Sequence, residues 1–265
     1  MIRKAGFRGL WYPFTAEECR AYVGDIKRNG EIINGVLPHA GWPYSASMIK
    51  EYFSGLSEDV KRIIIISPSH YHYLKPDHFF TICTFDKAET PFGNADVIPF
   101  TPRSSIVSDK AVADEHGVEM ILPFIGMAGN ICVSFALISE ITSLSALDRL
   151  SDELSENIGM DTAVVASSDF THYGPRFGYM PYGRKGLEKA IEKDSEAASL
   201  IAGGRTDEVF NAFRTGTICG IAAMMILSET SRKAGLHGWR GMHATSADST
   251  GDDEDFVSYQ TIYWR

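Results

Sequence analysis

Apolar positions along this chain fall into short blocks separated by turn residues and by stretches with helical spacing. The blocks are Ile32, Ile33, Val36 and Leu37, then residues 63–66, 131–138 and 162–166, and runs of this length bounded by turn residues predict buried strands. Met48, Ile49, Tyr52 and Phe53 recur at helical spacing after the first block, so a helix is expected to about Leu56. Leu144, Leu147, Leu150 and Leu154 stripe a helix over 144–158 as core packing. Residues 187–202 predict a helix stopped by Gly203-Gly204, and an apolar helix is expected to open at Thr217-Ile218-Cys219-Gly220 and run to about Arg232.

The intervening segments are less regular. Thr15-Ala16-Glu17-Glu18 offers a capping box for a helix to Asn29, closed by Gly30. Residues 71–99 read as short β-prone pieces, clearest at 79–85, with turns at Pro76-Asp77 and at 90–94, so a hairpin-like excursion off the main sheet is expected. Residues 107–113 read as helical, and 114–120 lead into a second short helix closed by Pro123. The aromatic, Gly-rich loop 173–186 is long enough to act as a lid or wall. A strand near 241–244, an acidic turn Asp252-Asp253-Glu254-Asp255 read as a solvated loop, and a strand over 257–263 complete the chain. Strands alternating with helices predict one α/β domain over residues 1–265, with a mostly parallel mixed sheet covered by helices on both faces.

Composition narrows the functions. With 44% apolar and 22% charged residues the 265-residue chain is expected to fold, while a net charge of -9 argues against nucleic acid or an anionic membrane as partner. No apolar run approaches the roughly 20 residues that span a bilayer, and Met1-Ile2-Arg3-Lys4 starts no signal peptide. Four cysteines without a close pair predict free thiols. The expected compartment is therefore the cytoplasm; the pattern leaves the oligomeric state open.

Candidate chemistry gathers at strand ends. The first block runs into Pro38-His39-Ala40-Gly41, the second into Ser67-Pro68-Ser69-His70, and the block at 162–166 into Ser167-Ser168-Asp169-Phe170-Thr171-His172. Carboxyl ends of strands are where open α/β sheets collect ligands, so three such histidines predict one shared site. Two neutral imidazoles from adjacent strand ends can reach one cation, which needs a third donor. Cys219 is a candidate because a helix start favours the thiolate; the plainer reading is a small buried hydrophobe. Asp169 either orients His172 or caps a turn, and Trp42, Tyr44 and Tyr173 either line a pocket or pack. His72 is a reserve ligand, whereas His78, His237 and His243 have no assigned role.

Pro38-His39-Ala40-Gly41, Pro68-Ser69-His70, Asp114-Glu115-His116 with Glu119-Met120, the 167–172 motif and Thr217-Ile218-Cys219-Gly220 together resemble the Memo family, also called AmmeMemoRadiSam system protein B. The resemblance spans nearly the whole chain. That family is similar in fold to the class III extradiol dioxygenases, non-haem iron enzymes that open catechol rings. The resemblance implies that His39, His70 and Cys219 are metal ligands, that Asp169 and His172 fill the remaining active-site positions, and that His116 lies near the cleft. A cysteine stands where the dioxygenases have a carboxylate ligand, and a thiolate favours copper(I) or zinc while still permitting iron(II).

The expected function is a Memo-type metal-dependent redox enzyme using iron(II) or copper, with His172 as acid/base acting on a small aromatic substrate. A non-catalytic adaptor that binds a peptide or metal in the same cleft is one alternative, and a zinc hydrolase is another.

Overall fold

The computed structural model describes residues 1–76 and 80–265. In chain order they form β1 (Ile2–Arg3), α1 (Ala16–Val23), β2 (Asn34–Leu37), α2 (Trp42–Gly55), β3 (Arg62–Ser67), β4 (Phe80–Ile82), β5 (Lys87–Thr90), β6 (Gly93–Asp96) and β7 (Ser105–Val107). Next come α3 (Asp109–Asp114), α4 (His116–Glu119), α5 (Leu122–Ala128), β8 (Cys132–Leu137), α6 (Leu144–Ser155), β9 (Thr162–Ser167) and β10 (His172–Tyr173). The chain closes with α7 (Leu187–Ala202), α8 (Thr206–Phe213), α9 (Ile221–Lys233), β11 (Gly238–Thr245), α10 (Ala247–Thr250) and β12 (Phe256–Trp264). Asp77, His78 and Phe79, on which the expected turn at 76–77 and the head of the strand at 79–85 fall, lie outside the described residues.

The main sheet of the described residues runs β10-β12-β2-β9-β3-β8-β4-β7, with β11 added on β12. Parallel order holds through its centre, β2-β9-β3-β8, while β12 and β4 join that centre antiparallel. The α/β expectation with a mixed sheet therefore holds. Alternate residues of each central strand enter different cores. Leu37, Ile63, Ile65, Ala163 and Val165 pack on the face covered by α2 and α5, and Val36, Ile64, Ile66, Val164 and Ala166 on the face covered by α6, α7 and α9. Apolar residues on both faces are the reason these strands read as unbroken apolar runs. Among the described residues, no helix is long and apolar enough to cross a membrane.

Several elements differ from expectation for identifiable reasons. α1 ends at Gly24 rather than Gly30, because Gly24 takes φ +74° and its N–H closes on the Arg20 carbonyl. Pro123 opens α5 instead of closing a helix, as its missing N–H is harmless in the first turn. Leu144 is exposed at the head of α6, so the buried stripe comprises Leu147, Leu150 and Leu154. The excursion after β4 is a β5–β6 hairpin, and the N-terminal arm joins it through β1 as a separate three-stranded sheet.

That arm is anchored by a buried ion pair. Arg3 Nη1 meets Glu119 Oε2 at 2.8 Å with both side chains fully buried. Glu119 also accepts the N–H groups of Gly6 and Phe7 and the hydroxyl of Tyr12, and Arg3 donates to the carbonyls of Val112, Ala113 and Glu115. Both charges are thus fully hydrogen-bonded, the condition under which removing one partner is most damaging. Arg3→Met is expected to lower unfolding free energy by about 3–5 kcal/mol in a denaturant titration. A loss under about 1 kcal/mol, the range of an exposed pair, would show that the arm is not held this way.

Candidate metal centre

The order β2-β9-β3 places three strand ends side by side, and each delivers functional groups to the same edge. His39 follows β2, His70 follows β3, and Asp169 and His172 follow β9. His116 arrives from a different direction, as the first residue of α4. Its neighbour Gly117 packs so closely that a Cβ there would lie 2.1 Å from Ser67 Oγ and 3.3 Å from His39 Nδ1. Gly220 likewise starts α9 directly against the end of β9, where a Cβ would meet Ser168 Cβ at 2.5 Å. These two close approaches bring His116 and Cys219 to the strand edge. The result is a cleft of about 770 Å³ lined by His39, His70, His116, Asp169, His172 and Tyr44, among others.

Hydrogen bonds preset the histidines. Glu115 Oε1 accepts from His70 Nδ1 at 2.7 Å, and its Oε2 accepts the His70 backbone N–H at 2.7 Å. An ionised carboxylate only accepts, so His70 Nδ1 is the donor and Nε2 is the ring nitrogen turned away from Glu115. Ser167 Oγ donates to the Gly117 carbonyl at 2.6 Å, so it accepts from His39 Nδ1 at 2.9 Å, and His39 Nε2 is left with its lone pair. Cys219 Sγ lies 3.2 Å from that Nε2. His39, His70 and His116 each offer one nitrogen, all within 4.8 Å of one another. Among the described residues, His116 Nδ1 is buried without a hydrogen-bond partner, 3.3 Å from Glu115 Oε1. His172 Nδ1 donates to the carbonyls of Phe170 and Thr217 at 3.0 and 2.9 Å, so Nδ1 carries a proton.

Burial sets the charge states. It pushes His39 well below the usual histidine range, aided by repulsion from His116, His70 and His172, and brings His116 down to about 4, with His70 assisting. Both are neutral imidazoles at neutral pH, the form that binds metal. Glu115 differs, because the hydrogen bond and charge of His70 outweigh its burial and hold it below the usual carboxylate range. Burial, reinforced by Asp169, pushes the Cys219 thiol up. This reverses the acidity expected of a helix start.

Other candidates are distributed as follows. Asp169 Oδ1 accepts the His39 N–H at 2.9 Å, and its carboxylate also takes the Ala40 N–H, so it ties the end of β9 to the turn after β2. The His172 tautomer is set by backbone carbonyls instead. Trp42 is buried in the core against Phe124 and Tyr12, and Tyr173 is buried against Phe256 with its hydroxyl on the Gly183 carbonyl. Tyr44 lines the cleft, near-parallel to Tyr259 at 6.1 Å. His72 pairs with Asp114 at 2.7 Å and is not part of the group formed by His39, His70 and His116. Glu115 and Ser167, which orient the two central imidazoles, were not singled out by sequence reasoning. Their only signal was adjacency to the motif histidines.

Comparison with known proteins agrees with the sequence resemblance. A family model described as Memo-like protein matches residues 3–263. A MEMO1 family protein of Methanosarcina mazei is 28% identical, with 98% of each chain covered. One from Pyrococcus furiosus is 28% identical over 100% of this chain and 99% of its own length. One from Saccharomyces cerevisiae is 28% identical over 90% of this chain and 80% of its own. The chain belongs to the Memo-like protein family.

The depressed His116 predicts a pH signature. The unfolded chain binds that proton near 6.5 and the folded chain only near 4, so the unfolded state holds more protons in between. Stability due to this group is complete above about 6.5 and is lost as pH falls toward about 4. Denaturant titrations of wild type and His116→Gln across that window should show the wild type losing its relative advantage on acidification. A difference that stays flat from pH 7 to 4.5 would contradict a buried neutral His116.

Proposed function

We propose that this Memo-like chain binds one metal ion between Nε2 of His39 and Nε2 of His70, with Cys219 as third donor and positions left open toward the cleft. The observation that carries the reading is the fate of the two Nδ1 atoms. Each donates to an acceptor fixed by the fold, Ser167 for His39 and Glu115 for His70, so each imidazole offers its other nitrogen, as outer-shell partners do for metal-ligating histidines. Cys219 Sγ beside His39 Nε2 supplies the soft donor. His116, neutral and with a buried unpartnered Nδ1, favours a second arrangement in which it takes the third place.

The donor set suits iron(II) or copper, with zinc as the closed-shell alternative. Such an ion would supply Lewis acidity when bound and, if redox-active, electron exchange with oxygen. We read the activity as oxidoreductase chemistry related to the extradiol dioxygenases, on a small aromatic substrate or a peptide side chain held between Tyr44 and the histidines. In this reading His172 holds or moves a proton at Nε2, because its Nδ1–H is committed to two carbonyls. Asp169 is a positioning residue that fixes the His39 backbone. Four unpaired cysteines suit a reducing compartment, so we place the protein in the cytoplasm.

Metal content measured by mass spectrometry on single variants tests the assignment. His39→Ala and His70→Ala are expected to keep their circular dichroism and to lose more affinity than the about 10–100-fold typical of an outer-shell change. Cys219→Ala and His116→Ala separate the two third-donor arrangements: coordination by the thiol must displace its proton, so calorimetry in buffers of different ionisation enthalpy should show one fewer proton released by Cys219→Ala. Full metal content in both His39→Ala and His70→Ala would sink the proposal. For any catechol that the loaded protein turns over, His172→Ala should keep the ion and slow turnover by about 10²–10⁴-fold. An unchanged rate would remove His172 from the chemistry.

A further inference from the structure

The cleft that holds the histidines has a cation on its wall. Arg176 lies in the short 3-10 turn Pro175–Phe177 that follows β10, and it lines the same cleft as His39, His70 and His172. Its backbone N–H donates to Asp255 Oδ1 at 2.9 Å, which fixes the turn to the acidic loop. The guanidinium forms no ion pair with any described residue; its neighbour is the Phe177 ring, 5.5 Å from Cζ to the centroid. That ring in turn stands edge-on to His172 at 5.2 Å. An unpaired guanidinium therefore sits one aromatic ring away from the imidazole proposed to move a proton.

The acidic residues nearby are engaged elsewhere. Asp252 Oδ1 accepts the N–H groups of Glu254 and Asp255, Asp255 Oδ1 takes the Arg176 amide, and Glu254 faces Arg184 at 3.8 Å. Asp169 is spent on the His39 and Ala40 amides. These acids shape the loop without neutralising the fork of Arg176. They also disfavour a doubly charged ligand, because Asp252 and Asp255 line the same wall. A planar monoanion meets both conditions, as a guanidinium takes a carboxylate through two parallel hydrogen bonds.

We infer that Arg176 is the anion anchor of the cleft, and that the ligand is an aromatic carboxylate whose acid group meets the guanidinium while its other end reaches the histidines. Phe177, Tyr44 and Tyr259 line the same cleft and offer it ring surfaces. This rests on the metal-cleft reading above and specifies the substrate class for it.

Calorimetric binding of 3,4-dihydroxybenzoate and of catechol, with and without one equivalent of zinc(II), tests the inference, with metal content recorded separately. Wild type should prefer the acid by about tenfold, the scale of one charge-assisted hydrogen bond. Arg176→Gln should erase that preference and leave catechol affinity and metal content unchanged, while Arg176→Lys should restore part of it by charge without the fork. A preference that survives Arg176→Gln, or no preference in wild type that takes up zinc normally, overturns the anchor and leaves the metal reading standing. An Arg176-dependent preference in protein that takes up no zinc supports the anchor while removing the metal reading.

Discussion

Glu115 is the carboxylate through which the strand edge and the histidine cleft are joined. It lies in the turn between α3 and α4 and is fully buried, and it accepts the His70 imidazole, the His70 amide and the Gly117 amide. Without those three donors, burial would drive it to its neutral form and cost several kcal/mol. With them, one side chain sets the position of the loop after β3, the tautomer of His70 and the start of α4, whose first residue is His116. Ser167 extends the same connection: it hydrogen-bonds the Gly117 carbonyl on one side and His39 on the other. Three histidines from three separate elements are thereby held around one volume by groups that do not themselves face it.

The surrounding fold serves this arrangement at longer range. The buried Arg3–Glu119 pair pins the N-terminal arm to α4, and that arm carries Trp11 to within 4.8 Å of the His116 ring and Phe7 to within 5.9 Å. The aromatic cover excludes water from His116 and is a reason its charged form is disfavoured. On the far side, Thr217 holds the backbone of His172 from both directions, so the loop after β9 and the start of α9 are rigidly coupled. A site built this way needs little reorganisation to accept a ligand.

Much of this was legible from residue order alone, and the reason is physical. Strands buried on both faces appear as apolar runs whatever their register, so the ends of β2, β3 and β9 and the histidines at those ends could be read directly. Groups whose role depends on burial could not. Glu115 looks like any turn carboxylate until the structure removes it from water, and Cys219 reads as an acidic thiol at a helix start until burial reverses that. Trp42 and Tyr173 stand beside motif residues in sequence yet turn into the core, because helix and loop geometry decides where an aromatic points. The two-residue β1 is too short for any periodicity, and its place is set by Arg3, a residue type that normally signals the surface. The acidic loop at 252–255 is expected to be solvent-facing; Asp252 and Asp253 are exposed, Glu254 and Asp255 are half-buried, and Asp252 and Asp255 also line the cleft.

The central claim is that the fold commits Nε2 of both His39 and His70 to a single ion. Anomalous diffraction from a crystal of the full chain soaked in cobalt(II) addresses it directly. The account predicts one strong peak within about 2.0–2.3 Å of both Nε2 atoms, with Cys219 or His116 completing the protein donors and the Ser167 and Glu115 hydrogen bonds to Nδ1 intact. A well-ordered protein with no peak between these two histidines, or with the ion bound through a flipped ring on Nδ1, would contradict it.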